Sequence, residues 1–275
     1  MLVLLLGCPH PIPVPAPVAD PPMVDVDVAF DREMDTWTVR YTTSEPASGL
    51  WFVRDRHRFR ASGWAVEGGA FSEAGYGEVV LGEGPWTVRF PTDTANREKD
   101  YKLHLGFTDG SRLLYTGHLA VHPLVPAPDG VQRYPDDVTT RWTFRAAGQT
   151  IAILDQVGQD ALVTDIDQLA RQGAYVYVGS IEPLRTERMT AFLDPGMPEW
   201  LRERTLSRLD GLFTTFGTWT GHPLDFHPVI FASASSEGTG RNLKGGTLPG
   251  QMQLAADGPG WATPSDAADQ QWYRF

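Results

Sequence analysis

The seven histidines are the first place to look for chemistry: His10, His57, His104, His118, His122, His222 and His227. A catalytic zinc helix needs two imidazoles one turn apart with a glutamate directly after the first, His-Glu-x-x-His. No pair here combines that spacing with that glutamate. His222, Asp225 and His227 cluster, but both histidines precede a proline and no fourth ligand is evident, so they read as ordinary loop residues. Gly238-Thr239-Gly240 suggests a phosphate cradle only in outline. A true cradle opens a helix, whereas this one leads into extended sequence with no Gly-Lys-Ser/Thr after it. There is no Gly-x-Ser-x-Gly for a serine nucleophile, and the many carboxylates carry no spacing that marks a glycosidase pair.

One residue does carry a specific chemical reading. Cys8, the only cysteine, follows Leu4-Leu5-Leu6-Gly7. An apolar run, a small residue and a cysteine form the pattern of a bacterial lipoprotein signal peptide, in which the thiol is acylated. The run is short and lacks a basic start, since the first basic residue other than histidine is Arg32. With no second cysteine, no disulfide competes for the thiol. Residues 9–22 hold seven prolines and favour an extended, polyproline-like tether. The expectation is a lipid membrane anchor at residues 1–8, a tether at 9–23, and a place in a bacterial cell envelope, on the periplasmic face or at the outer membrane. Nothing later is apolar for long enough to span a bilayer.

The elements that would position any site come in two parts. A net charge of −11 argues against nucleic acid as a partner. From 24 to 185 the sequence reads as a β-rich domain. Val24, Val26, Val28 and Phe30 alternate with polar or small residues, as do Trp37, Val39 and Tyr41, and Trp86, Val88 and Phe90. Tyr101, Leu103, Leu105 and Phe107 run into Asp109-Gly110, a tight-turn signal, and a partner strand follows. Short strands with Gly- and Pro-rich turns predict an antiparallel sandwich. Further strands are expected at 141–145, 150–154, 174–178 and 188–193, with a short helix capped by Thr164. The basic run Arg54, Arg56, His57, Arg58 and Arg60 reads as the solvated face of a strand.

From 186 to 275 the pattern becomes α/β. Pro195 to Gly217 predicts a helix with Leu201, Thr205, Leu209, Leu212, Phe213 and Phe216 on one face. A strand at 226–232, a glycine-rich link, an extended segment at 252–256 and a helix capped by Ser265 follow. That last helix runs into Trp272, Tyr273 and Phe275 without a glycine or asparagine cap, and the expectation is an interrupted chain.

Asp194-Pro195-Gly196, the amphipathic helix, Pro228-Val229-Ile230-Phe231-Ala232-Ser233, Gly245-Gly246-Thr247-Leu248-Pro249-Gly250 and the Ser265 helix come in a recognisable order. Over 190–275 this resembles the start of the catalytic domain in gluzincin metallopeptidases of the glycyl-aminopeptidase-like family. The resemblance implies a β-rich N-terminal domain, then a partial thermolysin-like α/β domain. It implies zinc in the full-length protein, with no zinc ligand or catalytic residue in this chain. It also implies a peptide or protein substrate held against a glycine-bearing edge strand, making Gly245, Gly246 and Thr247 the candidate contacts. The family often carries an acidic residue and a histidine after the paired glycines, where Thr247-Leu248-Pro249 stand here. The reading is the N-terminal portion of a lipid-anchored zinc metallopeptidase, catalytically incomplete as it stands. The alternative is a non-enzymatic envelope lipoprotein whose sandwich binds a partner or glycan.

Overall fold

The computed structural model describes residues 21–53, 59–74, 77–92, 103–126, 132–133, 138–166, 169, 172–222, 224 and 226–273. Cys8 and most of the tether lie outside them. The chain is mainly β, with a smaller α/β part toward its end.

Two sheets face each other across the first core. The larger has nine strands, with Met23–Asp31 and Thr139–Ile153 at its centre and Tyr175–Gly179, Arg112–Tyr115 and His104–Gly106 toward one edge. The smaller has five, including Gly49–Phe52, Gly77–Leu81 and Val121–Pro126. Alternation explains the first strand: Val24, Val26, Val28 and Phe30 are buried between the sheets, while Asp25 and Asp27 point outward to Arg141 and Arg145. Those ion pairs exist because Met23–Ala29 runs parallel to Thr139–Arg145. The sandwich is therefore not wholly antiparallel.

Two sequence expectations change here, and one falls mostly outside the described residues. The segments at 141–145 and 150–154 belong to one strand, Thr139–Ile153, whose register with Gln156–Thr164 shifts between Arg145 and Thr150. Thr164 ends that second strand, and the helix expected after it falls mostly outside the described residues. Arg60 is no solvated strand residue. It begins a single helical turn, Arg60–Gly63, and is wholly buried. Its guanidinium meets Glu78 at 3.0 Å, donates to the His118 carbonyl, and lies over the rings of Phe52, Phe59 and Trp64. A planar cation can leave water where a carboxylate and aromatic faces replace its hydration. Residues 54–58 lie outside the description.

The second part is a five-stranded mixed sheet in the order Leu184–Arg185, Thr190–Leu193, Val229–Ser235, Gln251–Asp257, Asn242–Leu248. Its three central strands are parallel and both edge strands antiparallel. The helix Glu199–Thr220 makes the crossover between two parallel strands. It runs straight through Gly217 and stops at Gly221, whose φ of 67° supplies the left-handed cap.

The two parts stack. Along Tyr175–Gly179, Val176 and Val178 enter the sandwich core, whereas Tyr175 and Tyr177 pack on Phe192, Val229 and Phe231 of the second sheet. Ile230 and Ala232 turn the other way, toward Leu201 and Leu209 of the crossover helix and toward Trp261, Ala268 and Trp272. The order is sheet, sheet, sheet, helices. The terminal helix Asp266–Tyr273 is docked on this last layer through Ala268 and Trp272.

Candidate functional site, a cleft between the two parts

Between the edge of the nine-stranded sheet and the third sheet a cleft of about 1060 Å³ opens. Its β-domain wall is the hairpin of His104–Gly106 and Arg112–Tyr115, together with Asp35 and Thr92. Asp35 sits in a turn at φ 46°, a left-handed conformation that aspartate tolerates better than most residues. Both its carboxylate oxygens accept from Arg112, each at 3.0 Å, and the Thr92 hydroxyl adds a further bond. Burial alone would raise the Asp35 carboxyl, but the hydrogen bonds from Arg112 and Thr92 and the charges of Arg112 and His104 outweigh it. The group is held below its ordinary value.

The opposite wall belongs to the third sheet: the loop from Ser233 to Thr239, Asn242, Lys244 and Asp257. Lys244 Nζ donates to Asp257 at 2.9 Å. The loop is pinned from behind, Gly258 N–H donating to the Ser235 carbonyl and Gly260 N–H to the Gly240 carbonyl. A Cβ on Gly258 would lie 2.5 Å from that Gly240 oxygen, and its φ of 106° also demands glycine. Arg241 reaches Gln271 and Ser265, so the terminal helix holds the loop too. Gly238-Thr239-Gly240 thus leads into a strand and opens no helix.

Buried polar ties set the distance between the walls. Asp194 is fully buried and accepts from the backbone N–H and hydroxyl of Thr108, from Gly196 N–H at 2.9 Å and from Ala234 N–H at 3.0 Å. Thr108 and Ala234 line opposite walls. Gln251 adds a second tie, its side-chain amide bonding both the N–H and the C=O of Tyr175.

Gly245, Gly246 and Thr247 lie on Asn242–Leu248, which among the described residues is the outermost strand of its sheet and pairs with Gln251–Asp257. The structure divides the trio. Gly246 stands opposite Gln253 and shares the cleft-side face with Asn242 and Lys244, while Gly245 and Thr247 oppose Leu254 and Met252 on the helix-side face. The cleft lining reaches Asn242 and Lys244, and the trio continues the strand from there toward the Pro249-Gly250 turn. Sequence reasoning missed Lys244 and Asp257, although the Pro249-Gly250 hairpin turn fixes their register. It also missed Asp35 with Arg112, which lie 77 positions apart and leave no local signal.

His222 and His227 are exposed, and Asp225 lies outside the described residues. Among the described residues no group of three or more His, Cys, Asp or Glu side chains could hold a metal ion.

No protein-family model and no curated protein matches the chain. Among solved structures it is similar to native yeast LTA4 hydrolase, with a TM-score of 0.43 and 8% identity, covering 85% of this chain and 40% of that one. It is similar to yeast LTA4 hydrolase in complex with bestatin at 0.41 and 8%, covering 86% and 40%. Native leukotriene A4 hydrolase from Saccharomyces cerevisiae gives 0.42 and 10%, again covering 86% and 40%. The chain spans less than half the length of these structures.

Proposed function

We propose that this chain is the peptide-holding portion of a lipid-anchored zinc metallopeptidase, with the zinc site outside the residues described. One observation carries the reading: a glycine-bearing antiparallel strand is the outermost strand of a mixed sheet among the described residues, and its Asn242 and Lys244 line an interdomain cleft. In an antiparallel pair alternate residues direct their N–H and C=O groups away from the partner strand. An extended peptide can take up those groups as an added strand. The glycines keep side chains out of its way. The buried ties at Asp194 and Gln251 hold the opposite wall at a fixed distance, so the cleft does not have to be organised on binding.

Alone, these residues bind a peptide without cleaving it. Acylation of Cys8 and the proline-rich tether would hold the site above a bacterial envelope membrane. The test uses the full chain carrying Cys8→Ser, to keep it in solution, and a fluorescent valine-rich extended peptide. Replacing Gly245 and Gly246 by valine raises strand propensity, so the fold is kept while the approach is filled. Affinity is expected to fall about tenfold, a loss of about 1.4 kcal/mol. Equal affinity in a variant with an unchanged circular dichroism spectrum overturns the reading.

A further inference from the structure

The charges along the cleft are arranged unevenly. Its described lining holds six titratable side chains: Asp35, His104, Arg112, Glu237, Lys244 and Asp257. Four of them cancel in pairs, Asp35 with Arg112 through two 3.0 Å bonds and Lys244 with Asp257 at 2.9 Å. Glu237 is different. Its backbone N–H donates to Ser235 Oγ at 3.0 Å, which fixes the turn, but its carboxylate has no hydrogen-bond or ion-pair partner among the described residues. The described lining on that wall is otherwise neutral at Ser233, Ser235, Ser236, Thr239 and Asn242, apart from the mutually paired Lys244 and Asp257.

The position of Glu237 is not loose. The bonds from Gly258 and Gly260 grip the loop on either side of it, and five residues later the same chain becomes the edge strand Asn242–Leu248. The carboxylate is thus carried on a braced turn beside the place where a peptide would lie.

We propose that Glu237 makes this cleft selective for an extended peptide carrying a cationic side chain. The inference rests on the strand-edge reading above and adds a preference to it. A lysine or arginine of the ligand would provide the counter-charge that no described residue of the protein does. Because Glu237 is exposed, the effect is that of a surface pair: about threefold, screened by salt.

The test uses the Cys8→Ser full chain and three peptides with blocked ends, identical except for a central lysine, glutamine or glutamate. Expected is the affinity order lysine, glutamine, glutamate at low ionic strength, with the spread shrinking in high salt. Glu237→Gln should erase the order and leave the glutamine peptide unchanged. If all three peptides bind alike and Gly245→Val with Gly246→Val still weakens them, the strand-edge reading stands and the selectivity is wrong. If the order survives Glu237→Gln, another group sets it and the proposal fails. If none of the three binds, both readings fail.

Discussion

Two kinds of carboxylate stand at the two ends of a burial scale in this molecule. Glu78 and Asp194 are fully buried, and every contact they make is with the protein. Glu237 and Asp257 line the cleft and keep access to water. The same chemical group serves as frame in the first case; in the second, on the selectivity proposed above, Glu237 would meet a ligand. A buried carboxylate that loses its partners leaves donors stranded without water, whereas an exposed one is rehydrated at once. Stability should therefore reside in the first set, and ligand preference in the second.

The largest effect expected is at Glu78. Glu78→Ala removes the carboxylate that meets the Arg60 guanidinium in the sandwich core and should cost about 3–5 kcal/mol in denaturant unfolding. A loss under about 1 kcal/mol would mean that the other partners of Arg60, the His118 carbonyl and the aromatic rings among them, suffice without Glu78, and the contrast would collapse. Asp194→Ala comes next, at roughly 3 kcal/mol, because three backbone N–H groups and a hydroxyl lose one acceptor. Tyr177→Phe removes the bonds to Ser111 Oγ and Ile181 N–H and should cost about 1 kcal/mol. At the exposed end, Lys244→Ala and Glu237→Gln should each change stability by less than about 1 kcal/mol.

Asp35 sits between the extremes, and pH reads it. Its carboxyl lies lower in the folded chain than in the unfolded one, so it stabilises the fold at neutral pH. That contribution is withdrawn as the pH falls below about 4, where the unfolded state takes up the proton first. Asn tolerates the same left-handed turn, so Asp35→Asn should unfold with a shallower acid limb. An identical limb would show that the Arg112 pair is too hydrated to matter.

Legibility in the sequence follows the same division. Period-two strands such as 24–30 and 86–90 were plain, because one face meets a core and the other water. Tyr175 to Val178 read as strand, but nothing local said that its two faces enter two different cores. The crossover helix shows the limit from the other side. Leu201, Thr205 and Leu209 are buried as their spacing implies, yet Leu212 and Phe216 on the same stripe are more than half exposed, because no layer among the described residues lies opposite them. Spacing reports which residues share a face; only tertiary structure decides whether that face is covered. Arg60 and Asp194 were illegible as frame residues because their partners arrive from distant strands. The glycine-bearing edge strand was legible as sequence, and the charged lining beside it was not.

The strand edge is the claim on which the functional account depends, and amide hydrogen exchange addresses it directly. With the Cys8→Ser chain saturated by the lysine-centred peptide, the amides of residues 242–248 that face away from Gln251–Asp257 should exchange markedly more slowly than in the free chain. The buried strand 175–179 should be unchanged. Exchange at 242–248 that stays the same while the peptide is demonstrably bound would place the ligand elsewhere and contradict the account.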